Sequence, residues 1–287
     1  MIKREVQIFL TALGFFTRIP ISHKIGFSED KLNHAMRYFP LMGWIVGGIG
    51  ALVFYFTNYI FPIEIRVILS MAATILITGA FHEDGFADVC DGFGAGWNKE
   101  QILHIMKDSR IGSYGTIGVT MILLAKFLII FRMKPPMYIP LGLIAGHSIS
   151  RFASASFVFT DKHVGDTETS KSKPLGEKIS FGEFILAAAF GLLPSLWLIF
   201  FVCTGLGVFQ HPVWSEAVWV IMLFMTILFL PLFLSKWLLA NFFRKRIGGF
   251  TGDCLGATQQ LTEVVFYLSL YVLLNNMELI RNSVIRP

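Results

Sequence analysis

Three aspartates, Asp84, Asp88 and Asp91, lie four and three residues apart in the stretch 82–92. On a helix this spacing places the three side chains on one face, within reach of one another. Like charges this close repel, and their desolvation beside apolar segments is costly, so a cation must compensate them. Hard oxygen ligands with room for water suit Mg²⁺, which commonly bridges carboxylates to phosphates. The pattern predicts a magnesium site, with a solvated acidic helix end and a proton relay as the alternatives.

A carboxylate and a guanidinium follow at Asp108 and Arg110. Asp108 can complete the metal site, and Arg110 can bind a phosphate through two of its N–H groups. The alternative is an ordinary surface salt bridge. We predict that both residues act in a catalytic centre together with Asp84.

Glycines cluster at Gly92, Gly94 and Gly96 and again in the stretch 248–256. The first cluster predicts that the acidic helix breaks into a loop whose amide groups approach a ligand closely. The second follows the basic residues 244–246 and precedes a predicted helix, which favours a phosphate cradle. Contact between those basic residues and lipid head groups is the alternative. We expect three residues of the second stretch to bind substrate: Thr251, Gly252 and Asp253.

Two basic residues, Lys126 and Arg151, fall inside segments that are otherwise strongly apolar. Charges at such positions usually face a cavity or a partner. Glu263, in the last apolar segment, is the natural counter-ion of Arg151 or a further polar wall of the site, although Arg151 can also snorkel to the membrane surface. We predict that Arg151 and Glu263 contribute to substrate binding.

The composition indicates whether the chain folds in water or in a membrane. The chain is 54% hydrophobic and 15% charged, with a mean hydropathy of +0.64, whereas soluble domains are about 45–50% apolar and about 25% charged. A membrane protein is therefore predicted. The net charge of +5 fits basic loops beside an anionic leaflet, and no basic block with interleaved aromatics indicates a nucleic-acid partner. Three widely separated cysteines exclude a disulfide framework and a zinc site.

A spanning helix needs about 20 mainly apolar residues, and seven windows approach that length. Residues 5–17 read instead as an interfacial or re-entrant helix that stays on the mature protein. The predicted fold is an all-α, polytopic helical bundle that forms a single transmembrane catalytic domain over residues 1–287. The seven windows are 39–61, 65–82, 112–131, 137–159, 181–207, 214–237 and 255–275.

The basic residues predict the orientation of the bundle, because Lys and Arg collect in cytoplasmic loops. With a cytoplasmic N-terminus, 17 of the 24 Lys and Arg residues fall inside and five outside. The acidic stretch, the Asp108 turn and the loop 248–256 then share the cytoplasmic side. Carboxylates for a metal, cations for phosphate and flexible backbone are the parts of a phosphoryl-transfer site.

Five segments, taken in order, closely resemble the cobalamin synthase family, also called adenosylcobinamide-GDP ribazoletransferases. The resemblance covers residues from about 9 to 270, and the acidic and Gly-Asp motifs are its most specific parts. The chain departs from the family at Glu83, where family members often have Leu. A looser likeness to the family's Gly-Leu-Gly stretch, at residues 173–176, adds Lys173 as a substrate-binding residue. The five segments are 16–20, 38–43, 81–92, 105–112 and 248–257.

The resemblance implies that the enzyme joins adenosylcobinamide-GDP to α-ribazole, or to α-ribazole 5′-phosphate, and releases GMP. It also implies Mg²⁺ dependence and an integral membrane location, and together with the orientation from the basic residues it predicts a site on the cytoplasmic face of the bacterial inner membrane. Asp84 or Asp108 would accept the hydroxyl proton, and Arg110, Arg151 and the residues 251–253 would orient phosphates or nucleotide. A homo-oligomer, or an association with other corrinoid-assembly enzymes, is left open.

Two other functions use the same kinds of residue. A CDP-alcohol phosphotransferase performs the same displacement with CMP leaving, and Asp88, Asp91 and Gly92 imitate part of its signature. The Ala-Arg pair expected next is missing, because the residues 93–95 are Phe-Gly-Ala. A secondary transporter could use the carboxylates as an ion site, but such sites lie near the bilayer midplane in repeated, interrupted helices.

Overall fold

The computed structural model describes residues 2–22, 28–164, 178–210 and 214–280. These residues form helices joined by short turns, and the one pairing of strand type in the described ranges is a bridge between His163 and Phe250. The predicted all-helical fold is confirmed. The α-helices are α1 (Ile2–Phe16), α2 (Glu29–Ala35), α3 (Phe39–Phe56), α4 (Ile63–Thr78), α5 (Phe81–Ala95), α6 (Lys99–Met106), α7 (Ser113–Arg132), α8 (Ile139–Thr160), α9 (Phe181–Leu206), α10 (Trp214–Ile247), α11 (Gly252–Asn275) and α12 (Met277–Ile280).

Local sequence signals explain where several helices begin. Asn98 and Thr251 accept hydrogen bonds from the first turns of α6 and α11 through their side chains. Ser180 and Glu183 form a reciprocal capping box at the start of α9. These side chains satisfy amide groups that have no partner within the helix.

Four helical segments are long and apolar enough to cross a membrane. A fifth span results if α4 and α5, which meet at 87°, are counted together as one broken span or re-entrant loop. Every predicted window contains a helix, but the predicted count of seven spans is not confirmed. The four segments are Asp30–Tyr59, Ser113–Arg132, Phe181–Leu206 and Ala217–Ile247.

The helices α8 and α11 do not reach the apolarity of a span because they form the interior of the bundle. Most residues of both helices are buried, and many of them are polar. α3 packs closely against α8, since a Cβ at Gly43 would lie 2.6 Å from the Cα of Ser148 and one at Gly47 would lie 2.7 Å from the Cα of Ile144. Small residues commonly allow such approaches in membrane bundles.

Two predicted loops are partly helical. α10 continues to Ile247, so the predicted inner loop 238–254 shortens to the turn before α11. α5 continues through Gly92 and Gly94 and ends before Gly96, so the predicted break at these glycines is wrong. Their missing side chains instead allow close packing, because a Cβ at Gly92 would lie 2.5 Å from Met106 Cγ and one at Gly94 would lie 2.6 Å from the Tyr114 ring.

Candidate functional site

A sharp change of direction between α4 and α5 starts the acidic helix. Gly79 and Ala80 both have left-handed backbone conformations, with φ of 70° and 59°, which cost a non-glycine residue more than glycine. The Arg18 amide donates to the carbonyl of Ile77 at 2.7 Å, and the Arg18 side chain covers Gly79. The segment after α1 therefore packs over the bend and sets the direction of α5.

Two glycines let α5 and α11 approach closely. A Cβ at Gly85 would lie 3.1 Å from the Cα of Asp253, and one at Gly256 would lie 3.2 Å from the carbonyl oxygen of His82. The crossing places the first turn of α11 beside the first two turns of α5. Asp253, predicted as a substrate-binding residue, is thereby brought to the aspartates of α5.

Asp84, Asp88 and Asp253 form one partly accessible acidic group, which we call the acidic face. Asp84 is exposed, and the other two are half-buried. The charges that act on Asp88 are all negative, with Asp253 first, then Asp84 and Asp91. Burial and mutual repulsion both disfavour three ionised groups here, so the acidic face favours a cation.

Asp91 also lies on the acidic stripe of α5, but its carboxylate serves a neighbouring helix. Oδ2 accepts from the Gly112 amide at 2.7 Å and Oδ1 accepts from the Gly115 amide at 2.9 Å. Gly112 and Gly115 leave the space that the carboxylate occupies. Asp91 is buried and caps the start of α7, so both of its oxygens already have donors.

Asp108 and Arg110 pair with each other in the turn between α6 and α7. The guanidinium donates from Nε at 3.0 Å and from Nη2 at 2.6 Å to the two carboxylate oxygens. These hydrogen bonds lower the pKa of Asp108 to about 2. Arg110 is 88% exposed. The charges found to act on Asp108 within the described ranges come from Arg110 and His104, and not from the acidic face.

The glycine-rich turn before α11 lies on the same side of the bundle as the end of α5. Arg246 donates to the carbonyl of Gly96 at 2.9 Å. Thr251 caps α11, Gly252 is exposed, and Asp253 belongs to the first turn. The acidic stretch and the Gly-Asp turn therefore meet, as the positions of the basic residues predict.

Arg151 and Glu263 lie in a buried polar network at the centre of the bundle. Glu263 makes its closest ion pair with Lys126, at 3.1 Å, and approaches His147 at 3.4 Å. Arg151 donates to the carbonyl of His147 at 2.9 Å and lies 5.7 Å from the Phe39 ring. The described part of the chain shows no direct ion pair between Arg151 and Glu263, because Lys126 takes that place, although the charge of Glu263 still acts on Arg151.

Sequence reasoning missed Gln259, Gln260 and His147, which connect the charged residues of this network. Two adjacent glutamines in an otherwise apolar segment were the available signal, because amides buried in a membrane bundle need partners. Glu83, whose role was open, is buried and accepts from Gln260 at 2.9 Å. Lys173 lies outside the described residues.

Known proteins resemble nearly the whole chain. Residues 8–271 match the family described as cobalamin-5-phosphate synthase. The chain belongs to this family. An adenosylcobinamide-GDP ribazoletransferase of Shewanella frigidimarina (strain NCIMB 400) is 43% identical over 267 residues, which are 92% of this chain and 94% of the relative. Another, of Shewanella amazonensis, is 42% identical over 94% of this chain and 97% of its own length.

Membership of the cobalamin-5-phosphate synthase family makes the chain a transferase of cobalamin synthesis. No solved structure matches it. The helices α5 and α11 therefore give the positions of the family's acidic and Gly-Asp motifs.

The acidic face can be tested for its fit to the Mg²⁺ that the resemblance implies. Within the described ranges, no three His, Cys, Asp or Glu side chains converge closely enough to hold a metal by themselves. Mg²⁺ commonly uses one or two carboxylates and completes its shell with water and substrate phosphates. Asp84 and Asp88 lie on successive turns of one helix, and Asp253 lies beside them. All three side chains remain accessible. The donor set fits such an ion.

Proposed function

We propose that this synthase transfers cobinamide phosphate from adenosylcobinamide-GDP to α-ribazole or α-ribazole 5′-phosphate. A ribose hydroxyl forms a new bond to the cobinamide-bearing phosphorus, and the bond between that phosphorus and the oxygen of GMP breaks. The products are adenosylcobalamin or its 5′-phosphate, GMP and one proton. The observation that supports this reaction is the meeting of the α5 carboxylates with the Gly-Asp turn of α11, within the family's own motifs.

The acidic face would hold Mg²⁺ through Asp84, Asp88 and Asp253. When bound, the ion supplies charge neutralisation for the pyrophosphate. The second oxygen of the Asp84 carboxylate would accept the hydroxyl proton, because Asp84 is the most exposed of the three. Asp108 is a weaker candidate for this role, since a carboxyl with a pKa of about 2 is a poor base near neutral pH.

Other residues would orient the substrate. Arg110 is exposed and presents the N–H groups that Asp108 does not use, which suits a phosphate oxygen. Thr251 and Gly252, at the start of α11, would place backbone amides near the nucleotide. Arg151, Glu263 and Lys173 were predicted to bind substrate. The first two are fully buried, which favours a supporting role for them.

The test uses the full chain purified into lipid nanodiscs, with adenosylcobinamide-GDP, α-ribazole and Mg²⁺. Mass analysis of the corrinoid and measurement of GMP follow the reaction. We expect Asp84→Asn to lower turnover by about a hundredfold or more, because a general base contributes at least that factor. Asp30→Asn, which changes an exposed aspartate on α2, is the control and should leave turnover unchanged. Near-normal turnover by Asp84→Asn would refute the assignment of Asp84 as the general base.

The same preparation separates the two rival functions. Release of CMP from a CDP-alcohol, without any reaction of the corrinoid, would identify a phospholipid-forming phosphotransferase. Entry of a corrinoid into sealed proteoliposomes without chemical conversion would identify a transporter.

A further inference from the structure

A continuous buried path of hydrogen bonds leads from the acidic helix into the polar network. The Gln260 side chain donates from Nε2 to Glu83 Oε1 at 2.9 Å, and its Oε1 accepts from Lys126 Nζ at 2.9 Å. Lys126 is also the ion-pair partner of Glu263. The path therefore connects α5 to α7 through one amide of α11, and all four side chains are buried.

The position of Glu83 makes this path relevant to the acidic face. Glu83 directly precedes Asp84, and the two side chains point to opposite environments, since Glu83 is 9% exposed and Asp84 is exposed. A hydrogen bond that holds Glu83 against α11 fixes the rotation of α5 about its axis. That rotation decides whether Asp84 and Asp88 face Asp253.

The adjacent contacts do not fix this rotation alone. Gly85 and Gly256 allow the two helices to approach but have no side chains that interlock. Asp91 attaches the far end of α5 to α7. In the described part of the chain, the hydrogen bond from Gln260 to Glu83 is the polar contact that joins the first turn of α5 to α11.

We propose that Gln260 and Glu83 are positioning residues, which hold α5 in the rotation that directs Asp84 and Asp88 toward Asp253. The inference rests on the proposed function, because it assumes that these aspartates bind a divalent cation. Outer partners that orient metal ligands typically change metal affinity by about 10- to 100-fold when they are removed. We therefore expect an effect of that size on cation binding, without any change to a ligand.

The experiment is a Mn²⁺ titration of the full chain in nanodiscs without substrate, followed by electron paramagnetic resonance of free Mn²⁺. Mn²⁺ shares the preference of Mg²⁺ for oxygen ligands. Gln260→Leu removes the three hydrogen bonds of the amide, which join it to Glu83, Lys126 and Gln259, and should weaken Mn²⁺ binding about tenfold or more. Ser150→Ala is the matched control, because Ser150 is buried in the same network and contacts Gln259 but not α5. Its Mn²⁺ affinity should stay unchanged.

A double variant that restores the hydrogen bond, which we call the rescue pair, distinguishes loss of positioning from loss of folding. Gln260→Glu keeps the acceptor for Lys126 but loses the hydrogen bonds that the amide donates to Glu83 and Gln259, so its Mn²⁺ affinity should fall. Adding Glu83→Gln supplies an amide that donates to the new carboxylate, and affinity should return to within about twofold of the parent. Oε2 of Glu83 has no hydrogen-bond partner among the described residues, so Glu83→Gln alone should bind Mn²⁺ normally.

Two results would overturn the inference: parental Mn²⁺ affinity in both Gln260 variants, or a rescue pair as weak as Gln260→Glu alone. Asp88→Asn in the same titration tests the proposed function separately. If Asp88→Asn binds Mn²⁺ normally, the metal site itself is wrong. If Asp88→Asn weakens binding and the Gln260 variants do not, the positioning inference alone fails.

Discussion

The Asp108–Arg110 pair, which we propose to contact substrate, lies in the exposed turn between α6 and α7. Its members are two residues apart in one turn, and Arg110 is almost fully exposed. Exposed pairs of this kind add little to stability, because solvent screens them and long side chains lose freedom on pairing. The pair does, however, hold a guanidinium in one orientation, which is an advantage where a planar cation meets a phosphate.

Replacing Arg110 should therefore affect substrate binding and not stability. We expect Arg110→Gln to raise the KM for adenosylcobinamide-GDP by about ten- to a hundredfold, the range for loss of a hydrogen bond to a charged group. The thermal midpoint should not change. Lys3→Gln, an exposed cation on α1, is the control. An unchanged KM would show that Arg110 does not contribute to substrate binding and forms only a surface salt bridge.

The acid limb of the pH–rate profile should not depend on this pair. The pKa of Asp108 is lowered from 3.8 to about 2, so any stability from its charge is present above the unfolded value and is lost only as pH falls toward 2. Without Arg110 the pKa returns toward 3.8, which still leaves the group ionised above about pH 5. Profiles of the parent and of Arg110→Gln, measured from about pH 5 upward, should have the same apparent pKa on the acid side. A displaced acid limb would contradict this expectation, because it would show that the titrating base senses the charge of Arg110.

At the scale of elements, α5 divides its acidic stripe between two neighbours. The first two aspartates face α11, whereas Asp91 caps α7. We expect Asp91→Ala to destabilise the protein by about 1–2 kcal/mol, because two amides at the start of α7 lose a charged acceptor. Thermal unfolding in detergent without Mg²⁺ measures this. Asp88→Ala is the comparison and should be neutral or stabilising there, since it relieves repulsion. An unaffected Asp91→Ala would contradict the capping role.

The spacing of the aspartates predicted a shared face but not its partners. Spacing is a property of one helix, so it correctly placed Asp84, Asp88 and Asp91 on one stripe. Which of them meets Asp253 and which meets Gly112 depends on how α5 crosses α7 and α11. The same limit explains Gly92 and Gly94, whose local preference for a loop is overridden by packing against Met106 and Tyr114.

For the whole molecule, helices at the outside of the bundle are apolar enough to cross a membrane, whereas the inner helices α8 and α11 are not. α7 and α10 are largely exposed and pass as spans, because they have no protein neighbours on one side. α8 and α11 are surrounded by other helices, so they can carry Arg151, Gln260 and Glu263. Polar residues inside a bundle lower the hydropathy without exposing charge to lipid. This explains why α8 and α11, which the sequence windows counted as spans, fall short of the apolarity of a span in the structure.

The orientation of the bundle remains a prediction from the basic residues, and its turns offer suitable positions for a test. α3 and α4 run antiparallel, since Ser70 donates to the Gly50 carbonyl and Arg66 to that of Phe54. The turn between these helices therefore lies at the opposite end from the acidic face. Tyr59 in that turn is 75% exposed, and Trp97, after α5, is 90% exposed.

We expect Tyr59→Cys to react with a membrane-impermeant maleimide from the outer side of the membrane and Trp97→Cys to react only in inverted vesicles. The reason is the excess of Lys and Arg in the segments around Trp97, which favours a cytoplasmic location. Of the native cysteines, Cys203 and Cys254 are buried and Cys90 is half-buried, so the parent chain serves as the background. Labelling of Trp97→Cys from outside would reverse the orientation and place the acidic face away from cytoplasmic nucleotides, which would contradict the proposed reaction as well.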